Sequence, residues 1–378
     1  MTSTSRATGR SELIAVLRSA DPGEHHRPPT RTRGAVPLPV VVTALALVLL
    51  AVVALGLAVG SVPVPVAQTW RILLHQIGGD ALVTPDWTRA QGLIVAETRL
   101  PRVLLAGIVG ATLTVVGMVV QAVVRNPLAG PSVLGVSSGA ATGAVVVMRF
   151  GLLGAGAATL NVAAFLGALA TLAIVFAIAR SGGRITPLRL ILGGVAVGAV
   201  LSALTSLLVL TAPSPTLASQ VLFWTLGGFG AARWDVLTLP AVVLLAGLAV
   251  LLSRARDLDL LLTGEESAGA LGLDVHRFRQ AMFVLVAVLI GVAVAVSGVI
   301  AFVGLMLPHV VRFLVGSGHR RGLPVAVLVG AVFTILADLA ARTAISPEEL
   351  PVGIVTALVG GPFFVWLLRR DARQEGGS

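Results

Sequence analysis

Residues 135–139 read GVSSG, the spacing with which α/β-hydrolases hold a nucleophilic serine on a strand-to-helix turn. Such a serine reacts only beside a histidine and an acid. Here no His–Asp pair accompanies the motif, and it opens an apolar run instead of following a strand. Other reactive side chains are missing or scattered. The chain has no cysteine, which removes disulfides, thiolate metal sites and cysteine nucleophiles. All 27 basic residues are arginine, which excludes the lysine of a Walker A phosphate loop and any Schiff-base lysine. Apart from His25 and His26 the six histidines are dispersed, so no transition-metal site and no cofactor are implied. Ser202, Thr205 and Ser206 form a weakly polar stripe at helical spacing. Hydroxyls of this kind satisfy themselves on backbone carbonyls, so packing is their default role. The same applies to Gln121 and His309, polar residues inside apolar runs. These residue types point to binding and docking, not to bond making.

The elements that carry them are set by hydropathy. Ten apolar runs, at about 37–60, 99–124, 132–148, 158–179, 189–212, 237–253, 280–298, 300–318, 322–341 and 351–368, are each long enough to cross a bilayer. Hydrocarbon admits only self-satisfied helices or closed barrels, and a barrel shows short segments of alternating polarity. These runs are continuous and rich in Leu, Val and Ala, so the expected fold is an all-α polytopic membrane protein of ten transmembrane helices. Composition agrees: 56% hydrophobic, 12% charged, mean hydropathy +0.97. With the tail 1–36 in the cytoplasm, ten crossings place both termini there. Of the arginines, twenty then fall inside and seven outside, the positive-inside bias of a bacterial plasma (inner) membrane protein. The net charge of +10 is topological: the arginines flank membrane runs with few aromatics among them, which excludes a nucleic-acid partner. Residues 1–36, rich in Ser, Thr, Pro, Gly and Arg, read as a disordered cytoplasmic tail. The first span reads as retained, being too long for a signal peptide. Residues 37–370 form one transmembrane domain, and 371–378 a cytoplasmic C-terminal tail. Two loops are long: 61–98 outside, with Trp70 and Trp87 suited to the interface, and 254–279 inside, with both charge signs.

Local signals sharpen this reading. Pro101 suits a helix start, and Asn126 and Pro127 suit its end. Gly107, Gly110 and Gly117 give that helix a small-residue face, and the pairs Gly139–Gly143 and Gly194–Gly198 repeat the device. In the inside loop, LLLTGEESAGALGLDV, Thr263 and Glu266 match a capping box for a short helix starting at Gly264, with Gly272 placed to end it. Spacing alone leaves open whether this is a capped surface helix or a knob for another protein. Arg99 and Arg102 read as interfacial anchors, and Arg342 as a partner for Asp338 one turn earlier. Ser346, Pro347 and Glu349 suggest a short helix start near Arg342.

The order of these motifs carries a resemblance. RLPR at 99–102, GMVVQAVVRNPLAGPSVLGVSSGA, FWTLGGFG at 223–230, GVIAFVGLMLPHVVR at 298–312, LADLAAR at 336–342 and ELPVGIVTALVGGPFFVWLL at 350–368 together resemble the FecCD family of permease subunits. These are type II ABC importers of ferric siderophores, haem and cobalamin. The resemblance covers residues 37–370. It implies ten helices per subunit and a homo- or heterodimer of permeases in lipid around a central pathway. It also implies a cytoplasmic ATPase dimer that hydrolyses ATP, and an extracytoplasmic substrate-binding protein. By the same resemblance Thr263, Gly264, Glu265, Glu266, Ser267, Ala268, Leu271 and Gly272 form the helix that couples to the ATPase. Arg99 and Arg342 receive acidic residues of the binding protein, and the fifth span, with Ser202, Thr205 and Ser206, lines the pathway with the tenth. A secondary transporter is the competing class, but it needs ionisable relays deep in its helices, and these helix interiors are nearly free of Asp and Glu. The expected cargo is a ferric siderophore, with haem or cobalamin as the alternative.

Overall fold

The structure is a computed structural model describing residues 37–375 apart from 61, 63, 153–156, 182–183, 186, 213–215 and 346–347. The expected disordered tail 1–36 and the pair Ser346–Pro347 lie outside the described residues. The elements, in chain order, begin with α1 (Leu38–Ala58), α2 (Val66–Gly78) and α3, a continuous 36-residue helix over Arg89–Val124 whose turn Ile94–Arg99 is π-wound. Then come α4 (Val136–Arg149), α5 (Ala157–Ala179), a two-strand ribbon of β1 (Arg180–Ser181) and β2 (Arg184–Ile185), α6 (Pro187–Leu210) and α7 (Thr216–Leu226). The chain continues through α8 (Trp234–Ser253), α9 (Ala255–Leu262), α10 (Glu265–Ala270), α11 (Val275–Ser297), α12 (Val303–Val315), α13 (His319–Thr343) and α14 (Val352–Glu375).

The centre of the bundle is α3, buried along nearly its whole length from Pro101 to Val124. It packs most extensively on α13, then on α12, α11 and α8. The glycine face makes this possible. A Cβ on Gly110 would stand 2.3 Å from the Gly330 carbonyl oxygen, and one on Gly330 would stand 2.3 Å from that of Gly110, so α3 and α13 touch backbone to backbone. A second layer repeats the device: Gly139 of α4 and Gly167 of α5 sit against each other's helix backbone. By contrast α6 and α14 turn large apolar side chains outward, among them Leu192, Val195, Leu207, Leu358 and Trp366. Such faces suit lipid or a second subunit.

Among the described residues eight helices are long and apolar enough to cross a membrane. The expected spans 132–148 and 300–318 are shorter than read: α4 has 14 residues and α12 has 13. Apolar residues that hydropathy cannot separate from helix form breaks here, namely the 3₁₀ turn Pro131–Leu134 with Gly135 left-handed, and the stretch 298–302 with Gly298 and Phe302 at positive φ. A 3₁₀ turn, not a strand, precedes GVSSG, so the hydrolase elbow is absent. The described residues of the loop 61–98, expected outside, are largely helical, and α3 starts at Arg89, ten residues before the expected Arg99. Its other end follows the sequence: Arg125 adopts a left-handed φ of 54°, with the N–H groups of Arg125 and Asn126 donating to the carbonyls of Ala122 and Gln121. This is a Schellman ending held without glycine. Beside the pair Ser346–Pro347, Ile345 and Glu348 form an isolated antiparallel bridge, Glu349 lies in no helix, and α14 starts at Val352.

Candidate functional site: a neutral groove and the two ends of the bundle

An open groove of about 700 Å³ runs between α4, α6 and α7. The sequence-predicted stripe Ser202, Thr205 and Ser206 lies in its wall. Facing it are Ser137 and Ser138 from the first turn of α4, and Thr225 of α7. No charged side chain lines it. The hydroxyls are held by backbone, as expected for helical Ser and Thr: Ser206 Oγ donates to the Ser202 carbonyl at 3.0 Å, and Thr225 Oγ1 to that of Val221 at 2.8 Å. The Thr142 and Thr205 hydroxyls pair at 2.9 Å and tie α4 to α6. A wall of this kind offers hydroxyl contacts without binding a bare ion tightly. The serines of GVSSG belong to it, a role the motif's hydrolase likeness hid. The spacing Ser137, Ser138, Ala141 on one helix face was the available signal. The tenth expected span, α14, contributes no residue to this groove.

Around the π-wound turn of α3, Arg99 and Arg102 are not surface charges. Arg99 is 5% and Arg342 6% exposed. Arg99 donates to the carbonyls of Leu57 (2.8 Å), Ala58 (3.0 Å) and Val62, and Arg342 donates to that of Gly56. Both therefore cap the last turn of α1, whose orphan carbonyls and negative dipole end favour cations. This corrects the expectation that Arg99 and Arg342 are exposed to receive a binding protein's acidic residues. The sequence also assigned too little to Arg102. Its guanidinium grips Asp338 through Nε and Nη2 (3.0 and 2.8 Å) and Glu349 through Nη1 (3.0 and 2.8 Å). Asp338 is 1% exposed and also lies 3.9 Å from Arg342 Nε, the pairing expected one turn apart.

At the other end, α10 is the expected short helix with a different start. Gly264 at φ +114° is its N-cap, the helix begins at Glu265, and Thr263 Oγ1 turns back to the Leu260 carbonyl at 2.8 Å. The expected Thr263–Glu266 capping box is absent, because the glycine turn directs Thr263 away from the helix. Gly272 does end the helix: at φ +90° it donates to the Gly269 carbonyl while Leu273 N–H reaches Ala268, a second Schellman ending. Ala268 is buried beneath, whereas Glu266, Ser267 and Leu271 face out, Leu271 at 67% exposure. Glu265 Oε1 accepts from Arg279 of α11 (2.7 Å) and from Arg125 at the end of α3 (3.1 Å). The hydrogen bond from Arg279, aided by both arginine charges, holds its carboxyl below the usual carboxylate range. Among the described residues no three His, Cys, Asp or Glu side chains cluster to hold a metal.

An apolar helical bundle with a neutral groove and a short helix tied to its core by one carboxylate has the make-up of a multi-pass membrane protein. The sequence profile of the FecCD transport family matches residues 47–370. The chain belongs to that family, the permease subunits of type II ABC importers. It is 43% identical over 283 residues to the hemin transport system permease HmuU of Yersinia pestis, covering 74% of this chain and 84% of that one. It is 44% identical to the cobalamin import permease BtuC of Halobacterium salinarum (74% and 75% covered). Against the vitamin B12 import permease BtuC of Salmonella paratyphi A the identity is 39% (80% and 92%). A solved ABC transporter described as of metal-chelate type, in an inward-facing conformation, superimposes with a TM-score of 0.76 at 33% identity, covering 88% of this chain and 99% of that one.

Proposed function

We propose that this chain is the membrane-spanning subunit of an ATP-driven importer that carries a metal already wrapped in an organic chelator. The observation that supports this reading most is the hydroxyl-lined, uncharged groove between α4, α6 and α7. A bare cation would need acidic or carbonyl ligands to replace its hydration, whereas a chelate brings its own ligands and needs only a smooth wall with a few hydroxyls. In this reading the chain has ten membrane-embedded helices, α2, α7, α9 and α10 not among them. Both termini are cytoplasmic in a bacterial plasma membrane, and a second permease packs on the outward apolar faces. Separate ATPase subunits act on Glu265–Ala270 and Leu271, and an extracytoplasmic binding protein delivers the cargo. A ferric siderophore satisfies the chemistry. So does a metal-bearing tetrapyrrole, and the names of the haem and cobalamin relatives favour that second reading.

A deletion strain separates them. It is supplied with iron as siderophore, with haem and with cobalamin in turn, and uptake of each is compared with the complemented strain. Selective loss of one chelate identifies the cargo. Normal uptake of all three, with uptake of an unchelated ion abolished, would overturn the chelate reading.

A further inference from the structure

A second cavity, of about 280 Å³, opens where α3 ends, walled by α3, α9, α12 and the turn into α13. Its polar lining is Gln121, Arg125, Arg312, Ser317 and His319. Two of these already have acidic partners. Arg125 reaches Glu265 at 3.1 Å, and His319 Nδ1 lies 2.6 Å from Asp259 Oδ1, which also accepts the His319 N–H. Arg312 does not. It has no hydrogen bond or ion pair among the described residues, and its Nη2 is buried. Gln121, 4% exposed, donates through Nε2 to the Leu305 carbonyl at 3.1 Å, so its amide orientation is set and its Oε1 is left buried and unpartnered.

The cavity thus holds two complementary unmet needs: a cation without an acceptor and an amide oxygen without a donor. The surroundings add positive charge. Arg320 and Arg321 stand exposed in the first turn of α13, a turn without acidic residues at the helix end where cations are disfavoured. Water could meet the Gln121 oxygen but brings no charge to Arg312. The volume corresponds to about nine waters at ~30 Å³ each, which is room for a small phosphorylated group. Basic pockets between membrane helices hold phosphorylated headgroups by this chemistry.

We propose that this cavity binds a phosphate ester, its phosphate accepting from Arg312 and a hydroxyl or ammonium beside that phosphate donating to Gln121 Oε1. The ester is either a phospholipid headgroup or a soluble sugar- or glycerol-type phosphate. The test uses the purified full-length chain in detergent, with native mass spectrometry and thermal unfolding as readouts. The probes are short-chain phosphatidylglycerol, short-chain phosphatidylcholine (whose quaternary ammonium has no donor hydrogen) and glycerol 3-phosphate. Wild-type protein should retain one phosphatidylglycerol in preference to phosphatidylcholine. Saturation by phosphatidylglycerol alone assigns a lipid, and saturation by glycerol 3-phosphate as well assigns a soluble ester. Arg312→Gln should bind about tenfold more weakly, the loss of one charge-assisted hydrogen bond, with Arg312→Lys in between. Absence of saturable binding to wild-type protein, equal binding by Arg312→Gln, or equal retention of the two lipids would overturn the proposal and leave a water-filled cavity.

Discussion

Two places along α3 carry arginines in opposite circumstances. At its π-wound turn Arg99 and Arg102, with Arg342 of α13, are buried, and each is consumed inside the fold by carbonyls of α1 or by Asp338 and Glu349. At its C-terminal end Arg125 is part of a contact open to solvent on its own side, in which one carboxylate, Glu265, ties a short surface helix to α3 and to the buried Arg279 of α11. Removing a partner at the first place strands a buried charge. Removing Arg125 at the second loosens a small element without stranding a buried charge, because Glu265 still pairs with Arg279. The difference teaches that charge at a helix end is structural when the neighbouring backbone closes over it, and available for signalling when water remains.

The largest effect should come from Asp338→Ala. It leaves the guanidinium of Arg102 buried with only the half-exposed Glu349, a loss of about 3–5 kcal/mol. Thermal unfolding in detergent should fall steeply or folded yield should vanish; an unchanged melting point would break the clamp half of the comparison. Next in size, the double reversal Arg99→Glu with Arg342→Glu should destabilise the isolated permease, with no binding protein present, because repulsion replaces the caps on α1. A well-folded double variant that merely docks a binding protein weakly would restore the surface role expected from sequence.

At the opposite end Glu265→Gln should cost about 1–3 kcal/mol at most: Arg125 is exposed and loses little, whereas Arg279, 5% exposed, exchanges a carboxylate for a neutral acceptor. In reconstituted transporter it should nevertheless lower uptake per ATP hydrolysed. Glu265→Arg and Gly264→Pro should act more strongly; proline cannot adopt the φ of +114° at Gly264. Coupling equal to wild type in all three would show α10 to be a passive surface helix. The smallest effect is a pH dependence. The Glu265 carboxyl titrates below its ordinary value when folded, so its contribution is fully present above the ordinary carboxylate pKa. It is lost as pH falls through the lowered folded value. The wild-type melting point should therefore drop more than that of Glu265→Gln over that acidic interval, and parallel curves would remove the electrostatic part of the tie.

What the sequence revealed of this arrangement follows its range of interaction. The apolar runs, the glycine face of α3, the ending at Gly272 and the hydroxyl stripe of α6 are properties of neighbours along one helix, and all were legible. Arg99 was misread because its acceptors lie some forty residues earlier, at the end of α1. Near a span end a buried cap and an interfacial anchor have the same sequence. Thr263 was misread because a capping pattern does not encode the positive φ of the next residue, Gly264. The two short spans were overextended because Pro131–Leu134 and 298–302 are as apolar as the helices they interrupt.

The central claim is that cargo passes along the uncharged groove between α4, α6 and α7. Its most direct test is Ser206→Arg in the assembled transporter reconstituted in lipid vesicles, with chelate uptake and ATP hydrolysis followed together. Ser206 is exposed in the groove wall and bonds only its own helix backbone, so the bundle should fold normally. The prediction is retained hydrolysis with uptake abolished, because a charge and a long side chain now occupy the passage. Uptake at the wild-type rate by a folded, fully assembled Ser206→Arg transporter would place the pathway elsewhere.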